Sequence, residues 1–490
     1  MTTPLPTGRL RGWGGLSVPG VERRSEDLPS ITPGAVLSRG LGRSYGDASL
    51  PPAFAHEVVG TTLADRLLAF NPDTGLLRAE AGVSLDALAR VFLPRGWFTP
   101  VSPGTSWVTL GGMVASDIHG KNHHVAGTIG RHVERLRMRV ASGEVVTTSR
   151  TEHPDLFRAT LGGMGLTGHI HDVELRMERV PSPWIWRQSI RIPSFDELLD
   201  GLERSATWPM TVAWIDTLST GRNFGRGILM RGRWAEPHEA PPRPAVRKLG
   251  PSVPFDVPDV LLNDWSVSAF NTFWYWKQPQ IFVEGPVTPY SWFWVLDSIG
   301  HWNRAYGKRG FTQHQAVIPR SAGREKVRQF CELLTRLGGT GFLCVIKDCG
   351  DEGEGLLSFP EPGMSVALDL PCTPGIQDLV DKLNRFVLDV GGRIYLTKDA
   401  FTRREHFEAM EAERLPRFHE VRRAWDPDNR IRSALSERLF GDPPRRATTA
   451  AAARPAQLAD HAPAAPRPTA DVGTDATVAP DAATDAARNA

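Results

Sequence analysis

Hydrophobic and polar positions follow two textures along this chain. Between residues 34 and 180, short runs with the two-residue period of half-buried strands are separated by glycine turns. Residues 76–81 form one such run. Residues 84–95, SLDALARVFLPR, follow with Leu85, Leu88, Ala89 and Phe92 at helical spacing behind Ser84, a residue suited to capping. Residues 136–140 and 144–148 flank the turn ASG and predict a hairpin. The small-residue segment 161–168, LGGMGLTG, leads into 169–177, which alternates like a strand.

From about residue 182 tryptophan becomes frequent and glycine turns thin out. Residues 313–318 read as a strand, 321–337 as a helix, 341–347 and 365–370 as strands, 376–390 as a helix and 392–397 as a strand. Leu379, Leu383, Phe386 and Val387 share one face of the second helix. The order β-α-β-β-α-β predicts a ferredoxin-like α+β unit. No internal repeat is evident. From residue 443 to 490 the chain is mostly Ala, Pro, Thr and Asp, without aromatic residues, and predicts a disordered tail.

Two stretches break the hydrophobic pattern. Residues 38–47, SRGLGRSYGD, and 103–124, PGTSWVTLGGMVASDIHGKNHH, have too little side-chain area to pack a core. Glycine leaves no Cβ in the way, and successive N–H groups form concave nests for anions. Two such loops point to one large phosphate-bearing cofactor held between them.

Polar residues on the predicted strands add a pocket wall. Gln313 and Gln315 are two apart, so both face one side of their strand, and Lys347 and Lys398 close two other strands of the same unit. His119 and His123 have the spacing of a helical metal pair, yet Gly120 and Asn122 disfavour helix and no acidic or thiol ligand follows, so no metal site is expected. His169 and His171 alternate on a strand as ordinary polar residues. Residues 270–295 hold Phe273, Trp274, Tyr275, Trp276, Tyr290, Trp292, Phe293 and Trp294. Proline and glycine between the two clusters predict aromatic loops over the pocket, suited to an amphipathic ligand or a membrane interface.

Composition narrows the classes. At 490 residues the chain holds two or three domains, and a formal net charge of +2 with scattered arginine excludes a nucleic-acid binder. Cys331, Cys344, Cys349 and Cys372 show no paired spacing and read as reduced thiols. The first residues have no apolar core, and no apolar run reaches bilayer length, so a cytoplasmic protein, peripheral at the inner membrane surface, is expected.

The strings SRGLGRSYGD, PGTSWVTLGGMVASDIHGKNHH and GGMGLTG resemble the PCMH-type FAD-binding domain of the vanillyl-alcohol-oxidase type. With WNRAYG at 302–307, QHQAVIP at 313–319, LSFPEPG at 357–363, GGRIYLTKD at 391–399 and WDPDNRIRSAL at 425–435, the chain is most similar within that superfamily to the decaprenylphosphoryl-β-D-ribose 2′-oxidase family. The resemblance implies an α+β fold. A two-subdomain FAD-binding domain spans 8–180, an antiparallel-sheet substrate domain 181–392, and a return to the FAD domain 393–440. It places FAD on Arg39, Gly40, Leu41, Gly42, Arg43, Ser44, Tyr45, Gly46, Asp47, Gly104, Thr109, Leu110, Gly111, Gly112, Ser116, Asp117, Ile118 and His119, with Ile170 near the adenine and Tyr395 near the flavin. It places Tyr45, His119, Lys121, Gln315 and Lys398 at the chemistry, and Gln313, Lys347, Trp214 and Phe293 on the substrate wall.

The implied reaction is FAD-dependent oxidation of a sugar secondary alcohol to a ketone, at the 2′-hydroxyl of a polyprenylphosphoryl-β-D-ribose in cell-wall arabinose synthesis. A short-chain reductase partner and membrane contact through the Trp-rich segment complete it. A soluble aldonolactone or alditol oxidase, or a flavin-binding scaffold without catalysis, are the alternatives. The chain departs from the family pattern at Phe293, Cys349, Ser365 and Ala367, where tyrosine, phenylalanine, asparagine and cysteine are usual, and the stretch before Ser38 is short for the usual first helix. Related sugar oxidases that bind FAD covalently do so through a histidine at the position of Tyr45, so non-covalent FAD is expected here.

Overall fold

The computed structural model describes residues 8–248, 250–258, 261–338 and 341–443. The Ala/Pro-rich tail expected over 443–490 therefore lies, from residue 444 onward, outside the described residues.

The alternating runs before residue 180 form two main sheets. Val21–Arg24, Glu57–Gly60 and Ser38–Arg39 make a parallel three-stranded sheet with Glu57–Gly60 in the middle. Leu67–Asn71, Leu76–Glu80, His169–Arg176, Val133–Arg139 and Val145–Ser149 make an antiparallel five-stranded sheet in that spatial order. The predicted hairpin is its far edge, with Val145 opposite Arg139. Ser84 caps the helix Leu85–Phe92 by accepting from Ala87 N, and Leu85, Leu88, Ala89 and Phe92 are its buried stripe. That stripe shares a core with Leu77, Leu110, Met113, Val173 and Leu175. Among the described residues, one helical turn, Leu28–Ile31, precedes the first glycine loop.

Residues 185–394 build one eight-stranded antiparallel sheet from two copies of a single motif. The first copy is β1 (Ile185–Ile192), α1 (Phe195–Arg204), β2 (Met210–Ile215), β3 (Gly227–Trp234), α2 (Asp264–Trp276) and β4 (Phe282–Val287). The second is β5 (Phe311–Pro319), α3 (Arg324–Arg336), β6 (Cys344–Cys349), β7 (Gly363–Pro371), α4 (Ile376–Asp389) and β8 (Arg393–Ile394). The spatial order β4-β1-β3-β2-β6-β7-β5-β8 gives each copy the same internal arrangement, and the copies join along β2 and β6. The sequence pattern revealed only the second copy. The first is interrupted between β3 and α2 by residues 235–263, so the expectation of no internal repeat fails at the level of topology.

Strand alternation assigns the two faces of this sheet. Ala213, Ile215, Leu229, Ala316, Ile318, Ile346, Val366 and Leu368 pack under α1, α3 and α4 through Phe195, Leu198, Val327, Phe330, Leu383 and Val387. The residues between them in sequence, including Trp214, Gln313, Gln315 and Lys347, face the other way. The helix α2 lies on that second face, where Tyr275 packs on Trp214 and Ile228.

The aromatic segment is therefore not a pair of loops. Asn263 and Ser266 form a reciprocal capping box, and no breaker interrupts Asp264–Trp276, so the first cluster folds as α2. Its buried positions are Val267, Asn271 and Tyr275, while Trp265, Phe273 and Trp276 are exposed by 81%, 63% and 55%. The second cluster lies in the short helix Pro289–Phe293 and just beyond it. Trp292, Phe293 and Trp294 are buried core residues.

Two other predicted boundaries move. The strand expected over 392–397 shortens to Arg393–Ile394, because Tyr395 O turns back to accept from Lys398 N at 3.0 Å. After it, helices Arg404–Met410, Leu415–Trp425 and Ala434–Leu439 bring the chain back to the first glycine loop. Ala434 N donates to Leu50 O at 3.0 Å and Arg432 N to Val36 O at 2.8 Å. Among the described residues no helix is long and apolar enough to cross a membrane.

Candidate functional site

The two glycine loops meet. A Cβ on Gly40 would lie 2.2 Å from Thr109 Oγ1, and one on Gly46 would lie 2.0 Å from Asp399 O, so only glycine lets these backbones approach. Gly42 has φ +62°, in the left-handed region. Among the described residues, no hydrogen bond engages the backbone N–H of Gly40, Leu41, Gly42, Arg43, Ser44, Gly46 or Asp47. Gly42, Gly46 and Asp47 are buried. Buried, unpaired N–H groups in succession are the donor set that a pyrophosphate needs, so this cradle fits FAD. Thr109 caps the helix Leu110–Ala115 by accepting from Gly112 N at 3.3 Å, and Gly111 presses against Ala81.

Side chains within these loops serve the scaffold more than a ligand. Arg39 lies against Gly42 and spends its donors on the scaffold, on Glu22 at 2.7 Å, Ser49 and Arg11 O. Arg43 stacks 3.9 Å over Trp13, and its Nε has no partner. Asp47 is held by both arms of Arg438 at 2.7 and 2.8 Å, and the same guanidinium reaches Asp399 at 2.8 Å. Asp117, with φ +38°, accepts from Gly130 N at 2.8 Å and from the Ser358 hydroxyl. Leu110, Ile118 and Ile170 are core residues, whereas Leu41 is exposed at the loop tip and Gly104 has open space around it.

His119 stands where the second loop reaches the eight-stranded sheet. Gln315 Nε2 lies 2.9 Å from its Nε2 and donates to Ser365 Oγ at 3.1 Å. With Gln315 donating, the ring proton sits on Nδ1, which has no partner. Tyr395 meets the imidazole edge-on at 4.9 Å, and its hydroxyl donates to Ser116 O at 3.3 Å. Burial, then the charge of Lys347, holds His119 well below the usual imidazole range, so it is neutral. His123 accepts from Gly350 N and His124 bonds Trp208 O. Among the described residues no three His, Cys, Asp or Glu side chains could share a metal ion. His169 and His171 bond Ser38 and Thr32, as buried polar residues do.

Three half-buried lysines converge here from separate elements. Lys347 comes from the middle of β6, Lys398 from the turn after β8 and Lys121 from the second loop. Burial, then Lys347, brings Lys121 down to about 7. Burial, opposed by Asp369 and reinforced by Lys347, brings Lys398 down to about 8. Lys347 is itself lowered by burial. The Lys398 ammonium sits 3.7 Å over the Tyr45 ring, and Lys121 donates to Trp292 O beside the Trp292 ring. Gln313 donates to Asp369 Oδ1 at 2.5 Å. Trp214 is buried on the same sheet face and donates to Phe342 O at 3.3 Å. Phe293 is instead stacked on Phe98 at 5.4 Å, inside the aromatic core.

Sequence reasoning missed Asp369, Tyr306 and Arg438. Asp369 was accessible to it: from Ser365 the alternation reaches Ala367 and Asp369 on one face, and antiparallel pairing sets Asp369 opposite Gln313. Arg438 lies 391 residues from Asp47, and no local pattern links them.

The comparisons with known proteins agree with this geometry. Residues 32–149 match the model of the FAD binding domain. The chain is 35% identical over 459 residues to a decaprenylphosphoryl-β-D-ribose oxidase of Mycolicibacterium smegmatis, covering 89% of this chain and 98% of that protein. It is 32% identical over 381 residues to an uncharacterized Streptomyces coelicolor protein, covering 73% of this chain and all of that one. A putative D-arabinono-1,4-lactone oxidase of Neurospora crassa is 27% identical over 157 residues, 32% of this chain and 27% of its own length. With its glycine cradle and this full-length likeness, the chain belongs to the decaprenylphosphoryl-β-D-ribose oxidase family of FAD-dependent oxidoreductases.

Proposed function

We propose that the protein oxidises the 2′-hydroxyl of a polyprenylphosphoryl-β-D-ribose to a ketone, the first half of an epimerisation that yields arabinose units for cell-wall polymers. The observation that carries this reading is that Lys347 and Lys398 act on His119 of the His119–Gln315 pair, and Lys347 also acts on Lys121. Lys347 repels both Lys121 and Lys398, and such crowding of partly buried ammonium groups is costly unless an anion joins them. The phosphodiester of a lipid-linked sugar is such an anion, whereas a free sugar or lactone carries no charge.

Bound FAD would supply the two-electron acceptor for the carbinol carbon. The backbones of 40–47, Gly104, 109–112 and 116–119 would hold its pyrophosphate and ribityl chain, with Ile170 beside the adenine and Tyr395 beside the flavin. Tyr45 has no imidazole to attach it, so the cofactor is held without a covalent bond. Gln315 orients His119, Gln313 completes the wall beside it, and Lys398 places positive charge where negative charge develops. Trp265, Phe273 and Trp276 recur on the outward face of α2 and suit the headgroup region of a membrane, where aromatic side chains settle. A short-chain reductase would consume the keto product.

A soluble aldonolactone oxidase is the second reading, favoured by the Neurospora crassa likeness over 32% of the chain. Anaerobic single-turnover mixing separates the two. Polyprenylphosphoryl-β-D-ribose should bleach the flavin and D-arabinono-1,4-lactone should not. Bleaching by the lactone alone would overturn the proposal.

A further inference from the structure

The turn after β8 carries Lys398 and lies back to back with the first glycine loop. Tyr45 N donates to Thr397 O at 2.9 Å. Gly46 approaches Asp399 O so closely that a Cβ there would lie 2.0 Å from it. The Lys398 ammonium reaches over the Tyr45 ring at 3.7 Å. The hold of β5 on this turn weakens along the chain. Tyr395 N donates to Gln315 O at 2.9 Å, whereas Lys398 O accepts from Thr312 Oγ1 at 3.2 Å and from Gln313 N at 3.4 Å. The seat on residues 45–47 therefore matters for where Lys398 stands.

One guanidinium joins the two sides of that seat. Arg438 Nε and Nη2 donate to the two carboxylate oxygens of Asp47 at 2.7 and 2.8 Å. Its Nη1 donates to Asp399 Oδ2 at 2.8 Å and to Thr402 O at 2.7 Å. The other Asp399 oxygen accepts from Phe401 N, Thr402 N and the Thr402 hydroxyl, which closes the turn. Both carboxylates are buried. Arg438 itself is fixed by the helix Ala434–Leu439, with its capping box and its buried Leu435 and Leu439. Burial would raise the Asp399 carboxyl, yet the charge of Arg438 outweighs it and holds the group below its ordinary value. Desolvation cancels much of the attraction in a buried ion pair, so net stability alone is a weak reason for such a clasp. Register between the two loops is a better one, because a planar fork can serve both carboxylates at once and a point charge cannot.

We propose that Arg438 is a positioning residue for the reaction: by clasping Asp47 to Asp399 it sets the Lys398 ammonium in register with the cofactor cradle of the first glycine loop. This rests on the reading that Lys398 faces the flavin. The clasp joins the end of the cradle to the residue next to Lys398, so a shift of either loop is passed to the other. Arg438 touches neither cofactor nor substrate in this account and acts only through Lys398.

Asp399→Asn tests this with the least disturbance. The asparagine oxygen can keep the three donors of the turn, while its amide nitrogen donates only and cannot accept from Arg438. Arg438→Lys is the second variant, and Asp399→Asn alone decides should that one fail to fold. Reductive dye titration of the FAD-loaded proteins reads the flavin potential without any sugar. Lys398→Ala, Asp399→Asn and Arg438→Lys should each lower it, and neither clasp variant should lower it further when combined with Lys398→Ala. In stopped flow with polyprenylphosphoryl-β-D-ribose, each clasp variant should slow flavin reduction about tenfold alone and less than about twofold on top of Lys398→Ala. A purely structural defect would add to the effect of Lys398→Ala in both measurements. Additive effects, or a potential moved by Lys398→Ala and by neither clasp variant, overturn the role of Arg438. A potential unmoved by Lys398→Ala overturns the Lys398 reading and the clasp's role with it. A substrate that never bleaches the wild type overturns the substrate reading alone, and the potentials then decide.

Discussion

The two halves of the eight-stranded sheet share a topology and share almost no chemistry. In the second half, α3 and α4 both cover one face, and the other face presents Gln313, Gln315, Lys347 and Asp369 to the pocket. In the first half α1 takes the corresponding side, but α2 crosses to the pocket face and seals Trp214 and Ile228 beneath Tyr275. One copy thus carries the polar wall, and the other supplies an apolar roof whose outer stripe remains exposed. A duplicated fold constrains where strands lie, and the residues on the freed face decide what each copy does.

If this division holds, the two cores should be equal and the two exposed faces unequal. Phe195 on α1 and Phe330 on α3 are both fully buried in one shared core. Replacing either with alanine should cost about 3–5 kcal/mol in denaturant unfolding. A silent change in the first half alone would mean that its helix is not part of the same core.

The next largest effect belongs to the polar face. Lys398→Ala should keep FAD bound and fold normally, yet reduce flavin roughly tenfold to a hundredfold more slowly in anaerobic stopped flow. Lys398→Arg should recover little, because a planar, longer fork replaces a compact charge. A near-normal rate in the alanine variant would reduce Lys398 to a solvated residue.

How much of this was legible in the sequence follows from the same division. Local features were readable: the cap at Ser84, the helices α3 and α4, and the shared face of Gln313 and Gln315. The aromatic run over α2 misled because it lacks a polar face, so periodicity could not separate helix from loop. Tertiary links such as Arg438 to Asp47 and Asp399 depend on chain return and leave no local trace.

A pH series sharpens the comparison with two opposite signs. Lys121 and Lys398, lowered to about 7 and about 8, bind fewer protons folded than unfolded. Folding stability from these groups should therefore rise as pH climbs from about 7 toward the ordinary lysine range, and fall away as pH drops through their folded values. Affinity for a phosphate-bearing substrate should fall over the same climb, since the ammonium charges are lost. A KM that falls while Tm rises over this climb would contradict the assignment.

The smallest effect on stability is expected on the roof. Replacing Trp265, Phe273 and Trp276 with serine should change unfolding free energy by only about 0.5 kcal/mol per site, because these side chains are exposed. The same variant should bind anionic lipid vesicles more weakly. Unchanged vesicle binding would leave the stripe without a membrane role.

The claim on which the rest depends is that the lysine pocket reads a phosphate. Its most direct test compares kcat/KM for polyprenylphosphoryl-β-D-ribose with that for the corresponding polyprenyl riboside lacking phosphate, in the wild type and in Lys347→Gln. The wild type should prefer the phosphorylated substrate by at least about tenfold, roughly 1.4 kcal/mol, and the variant should lose most of that preference. An equal preference in both proteins would show that the phosphate is recognised elsewhere or not at all.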